Sequence, residues 1–343
     1  MSEIRDRRTF LARAGSIAVG AVLTPVMARA GRFGGEHGVV PGSFLRWQRL
    51  RPGVFATDLD GTGGNCMVVA GRDGALLVDT KFPVFAGQLG RDAERLTGLP
   101  LTRVINKHHH GDHTGGNLVF VGRMPVIAHE AAVPRVLGQF DRMRAGVLRA
   151  PQDVKRIPEP DRGVIAGDVE TLTSGLDALT ARSFAPDTTV PTGRSGVDLG
   201  GRWLEMVHFD LSAHTDNDLV IHLPDENVVH TGDLVFNGLF PFFDPTCADA
   251  RGWMESLRLV LDLCDDETVV VPGHGKITDI EGVRGQLRYM EHLWEAVEKA
   301  YDAGEPVEEV RKKVWPFMEG LGFESIRERG TEFVYGQVAA SKD

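Results

Sequence analysis

Short apolar runs punctuate the chain, and several end in polar residues that carry chemistry. Cys66–Ala70 and Ala75–Val78 have the length and composition of buried strands, and Val84–Leu96 carries its apolar residues at helical spacing. Further strand-like runs are Val104-Ile105, Met206-Val207, Val228-Val229 and Val269–Val271. Nearer the C-terminus Val283, Leu287, Met290, Leu293, Val297 and Tyr301 recur every three or four residues, which predicts an amphipathic helix packed on a core. Beyond Pro306 another helix-like run ends in Trp315-Pro316-Phe317-Met318. Its apolar mass is expected to cover the core, with a dimer contact or a pocket wall as alternatives. Gly138–Thr189, rich in Arg, Asp and Pro and without strand alternation, predicts a helical insertion that either covers a site mouth or decorates the surface. No internal repeat or low-complexity tract interrupts this order.

The densest chemistry lies in His108-His109-His110-Gly111-Asp112-His113, which places His108, His110, Asp112 and His113 within six residues. Imidazole and carboxylate are the ligands of a hydrolytic Zn²⁺ centre, and an H-x-H spacing puts two rings on one side of an extended segment, not on one helical face. An accidental surface cluster or a tag fits poorly, because the run follows Val104-Ile105 and precedes a Gly115-Gly116-Asn117 turn far from either terminus. The remaining ligands are expected where later apolar runs stop. His214 in Ser212-Ala213-His214-Thr215, Asp233 at the end of Val228–Asp233, and His274 in Pro272-Gly273-His274-Gly275 meet that condition.

Four motifs in this order, H-x-H-x-D-H, A-H-T, T-G-D and P-G-H-G, resemble those of the metallo-β-lactamase-fold hydrolases over about Val54 to Thr278. The resemblance implies an α+β fold, a four-layer αββα sandwich with the metal site along one edge of its two sheets. It also implies that His108, His110 and His214 hold one metal, that Asp112, His113 and His274 hold a second, and that Asp233 bridges them. An Asp at the bridging point resembles the glyoxalase-II and lactonase branches, where dizinc β-lactamases place a Cys, and so argues against efficient penicillin or carbapenem hydrolysis. Two Zn²⁺ per chain are expected, with iron as the alternative. A metal-held hydroxide is the expected nucleophile, since the cation lowers the pKa of bound water to about 7. Asp112 is the candidate catalytic residue, ligating, orienting water and moving a proton as the tetrahedral intermediate collapses.

Support for the ligands is sought among residues that could hold their rings. Asp79, ending Ala75–Val78, is the first candidate, against a plain strand-end turn; Thr80, Asn117 and Thr215 follow. Candidate substrate contacts are Lys107, His109 and Asn237, with Asp60–Asn65 as a Gly-rich flap. Each has a plainer reading: a solvated cation for Lys107, packing beneath the loop for His109, a turn for Asn237, a hairpin loop for the flap. The Gly-rich stretch is not read as a dinucleotide fingerprint, because a strand follows it. His208, His222 and His230 sit in strand-like segments and are expected to be structurally satisfied; His37, His129 and His292 carry no signal.

Arg7-Arg8-Thr9-Phe10-Leu11, the weakly apolar Ala14–Met27 and Ala28-Arg29-Ala30 read together as a twin-arginine export signal over residues 1–30, implying a periplasmic or extracellular mature chain. The apolar stretch is short, Gly-rich and broken by Pro25, so stable membrane insertion is not expected. Residues 31–343 would form a single domain with the insertion at about 138–189 and a C-terminal helical extension at about 279–343. Beyond residue 30 the chain holds 33 basic against 46 acidic residues, a net charge of −13, which repels polyanions and excludes a nucleic-acid partner. Cys66, Cys247 and Cys264 are an odd count outside any metal spacing; Cys66 and Cys264 read as core residues, Cys247 as the one to test for reactivity, and no disulfide is expected. The expectation is a dinuclear zinc hydrolase that cleaves an ester, thioester, lactone or amide-like bond in a small molecule, with a homo-oligomer left open. The competing readings are a β-lactamase, a mononuclear iron persulfide dioxygenase and a non-catalytic scaffold.

Overall fold

The computed structural model describes residues 40, 43–58, 62–157, 159 and 161–342. The twin-arginine segment and Asp60 and Gly61 of the expected flap lie outside them. The described chain falls into two compact units, divided between Thr189 and Val190, each built on one sheet. The expected α+β class holds, with two sheets and helices.

The first unit carries a seven-stranded sheet in sequential order: β1 (Trp47–Arg51), β2 (Val54–Thr57), β3 (Met67–Gly71), β4 (Gly74–Val78), β5 (Leu101–Ile105), β6 (Val126–His129) and β7 (Thr188–Val190). β1 to β4 form an antiparallel meander. β5 pairs parallel to β4, which requires a crossover, and α1 (Ala86–Thr97) supplies it. Gly98 ends α1 in the left-handed region at φ 68°, where a Cβ would be strained. Alternation sorts the side chains: Trp47, Phe55, Val68, Leu77 and Val104 form one cluster with Ala86, Leu89 and Ala93 of α1. Asp92, buried on α1, accepts a hydrogen bond from Trp47 Nε1 at 2.8 Å and so locks helix to sheet.

After the short α2 (Gly111–Thr114) comes α3 (Ala132–Gly138), and then the predicted insertion, which is helical as α4 (Phe140–Asp153) and α5 (Asp161–Ser174), before the chain returns as β7. It packs on its own unit, Ala150, Ile165 and Val169 meeting Val84 and Phe85 in one cluster.

The second unit carries a five-stranded sheet of order β12-β11-β10-β9-β8, with β8 (Gly193–Asp198), β9 (Trp203–His208), β10 (Val220–Leu223), β11 (Val228–Asn237) and β12 (Val269–Gly275). The first four are antiparallel, and β12 pairs parallel to β11 after α6 (Ala250–Leu261). The predicted C-terminal helix is α7 (Ile280–Asp302), capped by Asp279, whose side chain accepts from Glu281 N at 2.9 Å. It buries Val283, Met290, Leu293 and Val297, each contributing roughly 1.5–3 kcal/mol of gross burial. Any variant placing a charge at Leu293, 0% exposed, would break this seam.

The run beyond Pro306 differs from expectation. Only one turn, α8 (Val307–Val310), is helical, and Pro316–Met318 is a separate 3-10 turn before α9 (Arg327–Lys342). Pro316 has no amide hydrogen to continue a helix and forces Trp315 into an extended conformation. Met318 is buried in the unit's core, with Trp315 and Phe317 packed against it, as the core-cover reading expected. Among the described residues no helix is long and apolar enough to cross a membrane.

Candidate metal centre

In the first unit β4 and β5 end side by side, and their ends build the ligand loop. Asp79 N donates to Ile105 O at 2.7 Å, and Asn106 N to Ile127 O at 2.8 Å, so the residues just past the strands are still held to the sheet. The chain then turns through His108–His113 with α2 inside the loop. His108 Nε2 and His110 Nδ1 lie 3.0 Å apart. Asp112 Oδ2 lies 3.6 Å from His113 Nε2. The rings of His108, His110 and His113 are nearly or wholly buried, while the Asp112 side chain keeps 19% of its exposure.

A buried carboxylate holds His113. Its Nδ1–H donates to Asp79 Oδ2 at 2.5 Å, which leaves Nε2 as the nitrogen with a lone pair to offer. Asp79 therefore does more than end a strand. Its backbone sits at φ 62°, where a non-glycine residue is strained, as expected of a position fixed by its role. The carbonyl of His113 is held in turn, accepting from Thr80 N and Oγ1 and from Asn106 Nδ2. Asn117 ties Thr80, Asn106 and the Phe184 carbonyl into one network, so it supports His113 through its backbone and not its ring.

Two sequence expectations are corrected here. Lys107 is neither a solvated cation nor a substrate contact: it is 0% exposed, its Nζ lies 2.9 Å from Asp79 Oδ2, and its backbone N donates to Asp79 Oδ1 at 2.9 Å. A lysine goes inside here because a buried carboxylate is waiting for it. The described part of the expected flap is not a free hairpin tip. Gly64 N donates to Asp112 O at 3.4 Å, and the Lys81 and Lys107 ammoniums donate to the Gly64 and Asn65 carbonyls. A Cβ on Gly64 would lie 2.0 Å from His113 Cε1, so only glycine lets this segment rest on the ring. His109 is 3% exposed with its carbonyl accepting from Gln139 Nε2, in line with the packing reading.

In the second unit His214, Asp233 and His274 come together. His214 sits between β9 and β10, and its Nδ1–H donates to the Phe242 carbonyl at 2.8 Å, again leaving Nε2 for a ligand. Asp233 lies within its strand, not at its end as expected, since β11 runs on to Asn237, whereas His274 is the last residue but one of β12. The β11–β12 register is irregular around Gly232, which turns Asp233 out of the regular pleat. Asp233 Oδ2 lies 3.5 Å from His214 Nε2 and 3.3 Å from His274 Nε2. The His274 ring stacks on Phe236 at 5.1 Å. Gly273 is required beneath, because a Cβ there would fall 1.9 Å from Asp233 Oδ1.

Thr215 organises the loop behind His214 and does not touch the ring: its N and Oγ1 donate to the two oxygens of Asp218. Burial pushes the Asp218 carboxyl up to about 8, against those two hydrogen bonds, with Asp233 and Asp216 adding to the rise. Asn237, at the end of β11, donates one amide hydrogen to Lys276 O at 2.8 Å, beside the β11–β12 pair. The histidines expected to be structural are so: His208 accepts from Asp210 N, His222 meets Glu205 Oε2, and His230 donates to Val271 O.

Three of these spacings fit metal ligation, while the 3.0 Å between His108 Nε2 and His110 Nδ1 is shorter. Two ligand atoms held at about 2.0–2.2 Å by one tetrahedral ion lie roughly 3.3–3.6 Å apart, longer than a good N–H···O bond. The Asp112–His113, His214–Asp233 and Asp233–His274 separations of 3.6, 3.5 and 3.3 Å all fall in that window. Asp233 meets both histidines through the same oxygen, Oδ2, while its other oxygen, Oδ1, is buried.

The family model described as the metallo-beta-lactamase superfamily matches residues 59–274, more than half of the chain. A hydroxyacylglutathione hydrolase of Polaromonas sp. (strain JS666) is 30% identical over 193 residues, 53% of this chain and 52% of that protein. An uncharacterised protein of Mycobacterium tuberculosis (strain H37Rv) is 30% identical over 142 residues, 39% of this chain and 62% of the relative. The chain thus spans about half to three-fifths of the length of these curated relatives. The crystal structure of DIM-1 metallo-beta-lactamase superposes with a TM-score of 0.52 at 17% identity, covering 72% of this chain and 97% of that one, a likeness of fold. By the family match, the ordered motifs and two sheets of this topology, the chain belongs to the metallo-β-lactamase superfamily.

Proposed function

We propose that the two ligand sets form one dinuclear zinc centre, and that the protein is a hydrolase acting on an ester, thioester or lactone of a small molecule. The observation that carries this reading is Asp233, whose single oxygen Oδ2 faces the ligating nitrogens of both His214 and His274. A carboxylate with one oxygen between two imidazoles is the donor set of a bridging ligand. His108 and His110 would join His214 around one ion, and Asp112 and His113 would join His274 around the other. When bound, the two ions would supply Lewis acidity and bring the pKa of water down towards neutrality.

The protein's own groups do the rest. His113 and His214 are locked by Asp79 and by the Phe242 carbonyl, so ligation costs them little reorganisation. Asp112, at 19% exposure against 4% for Asp233, is the acidic ligand that reaches substrate and solvent. One carboxylate oxygen of Asp112 would take the proton of the attacking water and return it to the leaving group as the carbonyl re-forms. No serine or cysteine nucleophile is needed. The thioester class is favoured by the relative named hydroxyacylglutathione hydrolase, and an Asp at the bridging position argues against β-lactams. We further propose export by the twin-arginine route, read from residues 1–30 and tested by fusing them to a reporter in strains with and without that pathway.

The test is a substrate panel of thioesters, acyl lactones, phosphodiesters and nitrocefin, run on the wild type and Asp233→Ala with metal analysis of both. Thioester or lactone turnover that collapses together with metal content in Asp233→Ala supports the reading. Full rate and full metal content in the variant overturns the bridging assignment.

A further inference from the structure

We propose that Lys107 is a positioning residue for the second metal: it holds Asp79 so that Asp79 can hold His113. The inference rests on the dinuclear reading above and concerns a residue next to the ligand loop that is not itself a ligand.

Asp79 and Lys107 are both 0% exposed. Asp79 gives Oδ2 to His113 Nδ1 at 2.5 Å, and the donor there is a neutral imidazole in its ligating form, so the carboxylate charge is not cancelled by it. Lys107 cancels it. The ammonium reaches the same Oδ2 at 2.9 Å, and the Lys107 amide takes Oδ1 at 2.9 Å, so both carboxylate oxygens are fixed by one residue. The third element is the bend that rests on His113. The Lys107 ammonium also donates to Asn65 O at 3.2 Å, and Lys81, equally buried, donates to Gly64 O at 2.9 Å. Lys107 therefore fixes His113 from two sides: through Asp79 at Nδ1, and through the bend whose Gly64 lies against the ring.

The sign of the effect separates this role from simple electrostatics. A cation buried beside the ligand loop repels a divalent ion, so if charge were all that mattered, removing it would tighten metal binding. If Lys107 positions Asp79, removing it loosens the imidazole and weakens binding, as loss of an outer partner does elsewhere by about 10- to 100-fold.

The experiment titrates Co²⁺ and Zn²⁺ into metal-free wild type, Lys107→Met and Lys107→Arg. It follows metal per chain by elemental analysis, d–d absorption, and the His113 Nδ1 proton by NMR in the metal-free state. Lys107→Met is expected to keep the first metal, to bind the second about 10- to 100-fold more weakly, and to lose the protected Nδ1 proton; Lys107→Arg, which keeps the charge, restores part of both. Unchanged or tighter second-metal binding in Lys107→Met overturns the proposal while leaving the dinuclear reading intact. A wild type that binds no second metal overturns the dinuclear reading instead. Should Lys107→Met not fold, Lys107→Met/Asp79→Asn leaves neither charge buried alone. Only the contact with the bend is left for Lys107 to lose in that background, so the second-metal affinity is expected to fall less than about 10-fold below that of Asp79→Asn, and a loss of about 10-fold or more overturns action through Asp79.

Discussion

Gly64→Ala adds one methyl group and is expected to remove one metal. The new Cβ would lie 2.0 Å from His113 Cε1, 2.5 Å from Nε2 and 2.7 Å from Nδ1. Carbon–carbon contact begins at about 3.5 Å, so ring or bend must give by roughly 1.5 Å. The bend is pinned by Gly64 N on Asp112 O and by the two buried lysines on the Gly64 and Asn65 carbonyls, and the ring is pinned by Asp79. Metal–ligand distances tolerate about ±0.2 Å, so a shift several times larger removes His113 from the ligand set. Second-metal affinity should fall at least about 10-fold, and hydrolysis with it, while circular dichroism shows an intact fold. Isothermal titration of the metal-free protein with Zn²⁺ reads this directly, two binding events in the wild type becoming one. Two undiminished events in Gly64→Ala would refute the packing of this segment on His113.

Other outcomes follow from the same geometry. Asp218 holds a proton up to about pH 8 in the folded protein but releases it near 3.8 when unfolded, so folding takes up a proton between those values and stability falls as pH rises through the window. In metal-free protein Asp218→Asn should flatten that decline, read from urea midpoints at pH 6, 7 and 8.5; a slope equal to wild type would show that the carboxyl is not the cause. Gly273→Ala would drive a methyl group into Asp233, 1.9 Å from Oδ1 and 2.6 Å from its backbone N, and should cost about 1–3 kcal/mol of stability as well as metal, against a contrary result of an unchanged melting curve. Replacement of Asp210, exposed and at φ 59°, by glycine should add about 0.5 kcal/mol of stability, since left-handed strain is relieved; a lower melting temperature would contradict this.

The candidate ligand residues stood out in the sequence because metal chemistry restricts residue type and spacing so tightly. Asp79 was readable from its place at a strand end, and α7 from the spacing of Val283 to Val297. Lys107 was not, because a lysine reads as a surface residue until the carboxylate that receives it is known, and Asp79 lies 28 positions away. Gly64 carried a faint signal in the Gly-rich run, whose cause, an imidazole lying against the backbone, is a tertiary contact with no local trace. The Phe242 carbonyl that orients His214 is a backbone group, invisible to any reading of side chains. Asn237 shows the opposite case: an amide after an apolar run suggests a donor for substrate, whereas one of its two hydrogens is already given to the Lys276 carbonyl.

Elemental analysis of protein purified from unsupplemented growth, with oxygen uptake followed on the same sample, tests the central claim most directly. About two zinc ions per chain with thioester or lactone hydrolysis and no oxygen consumed is the predicted result. One iron per chain with oxygen uptake would contradict it.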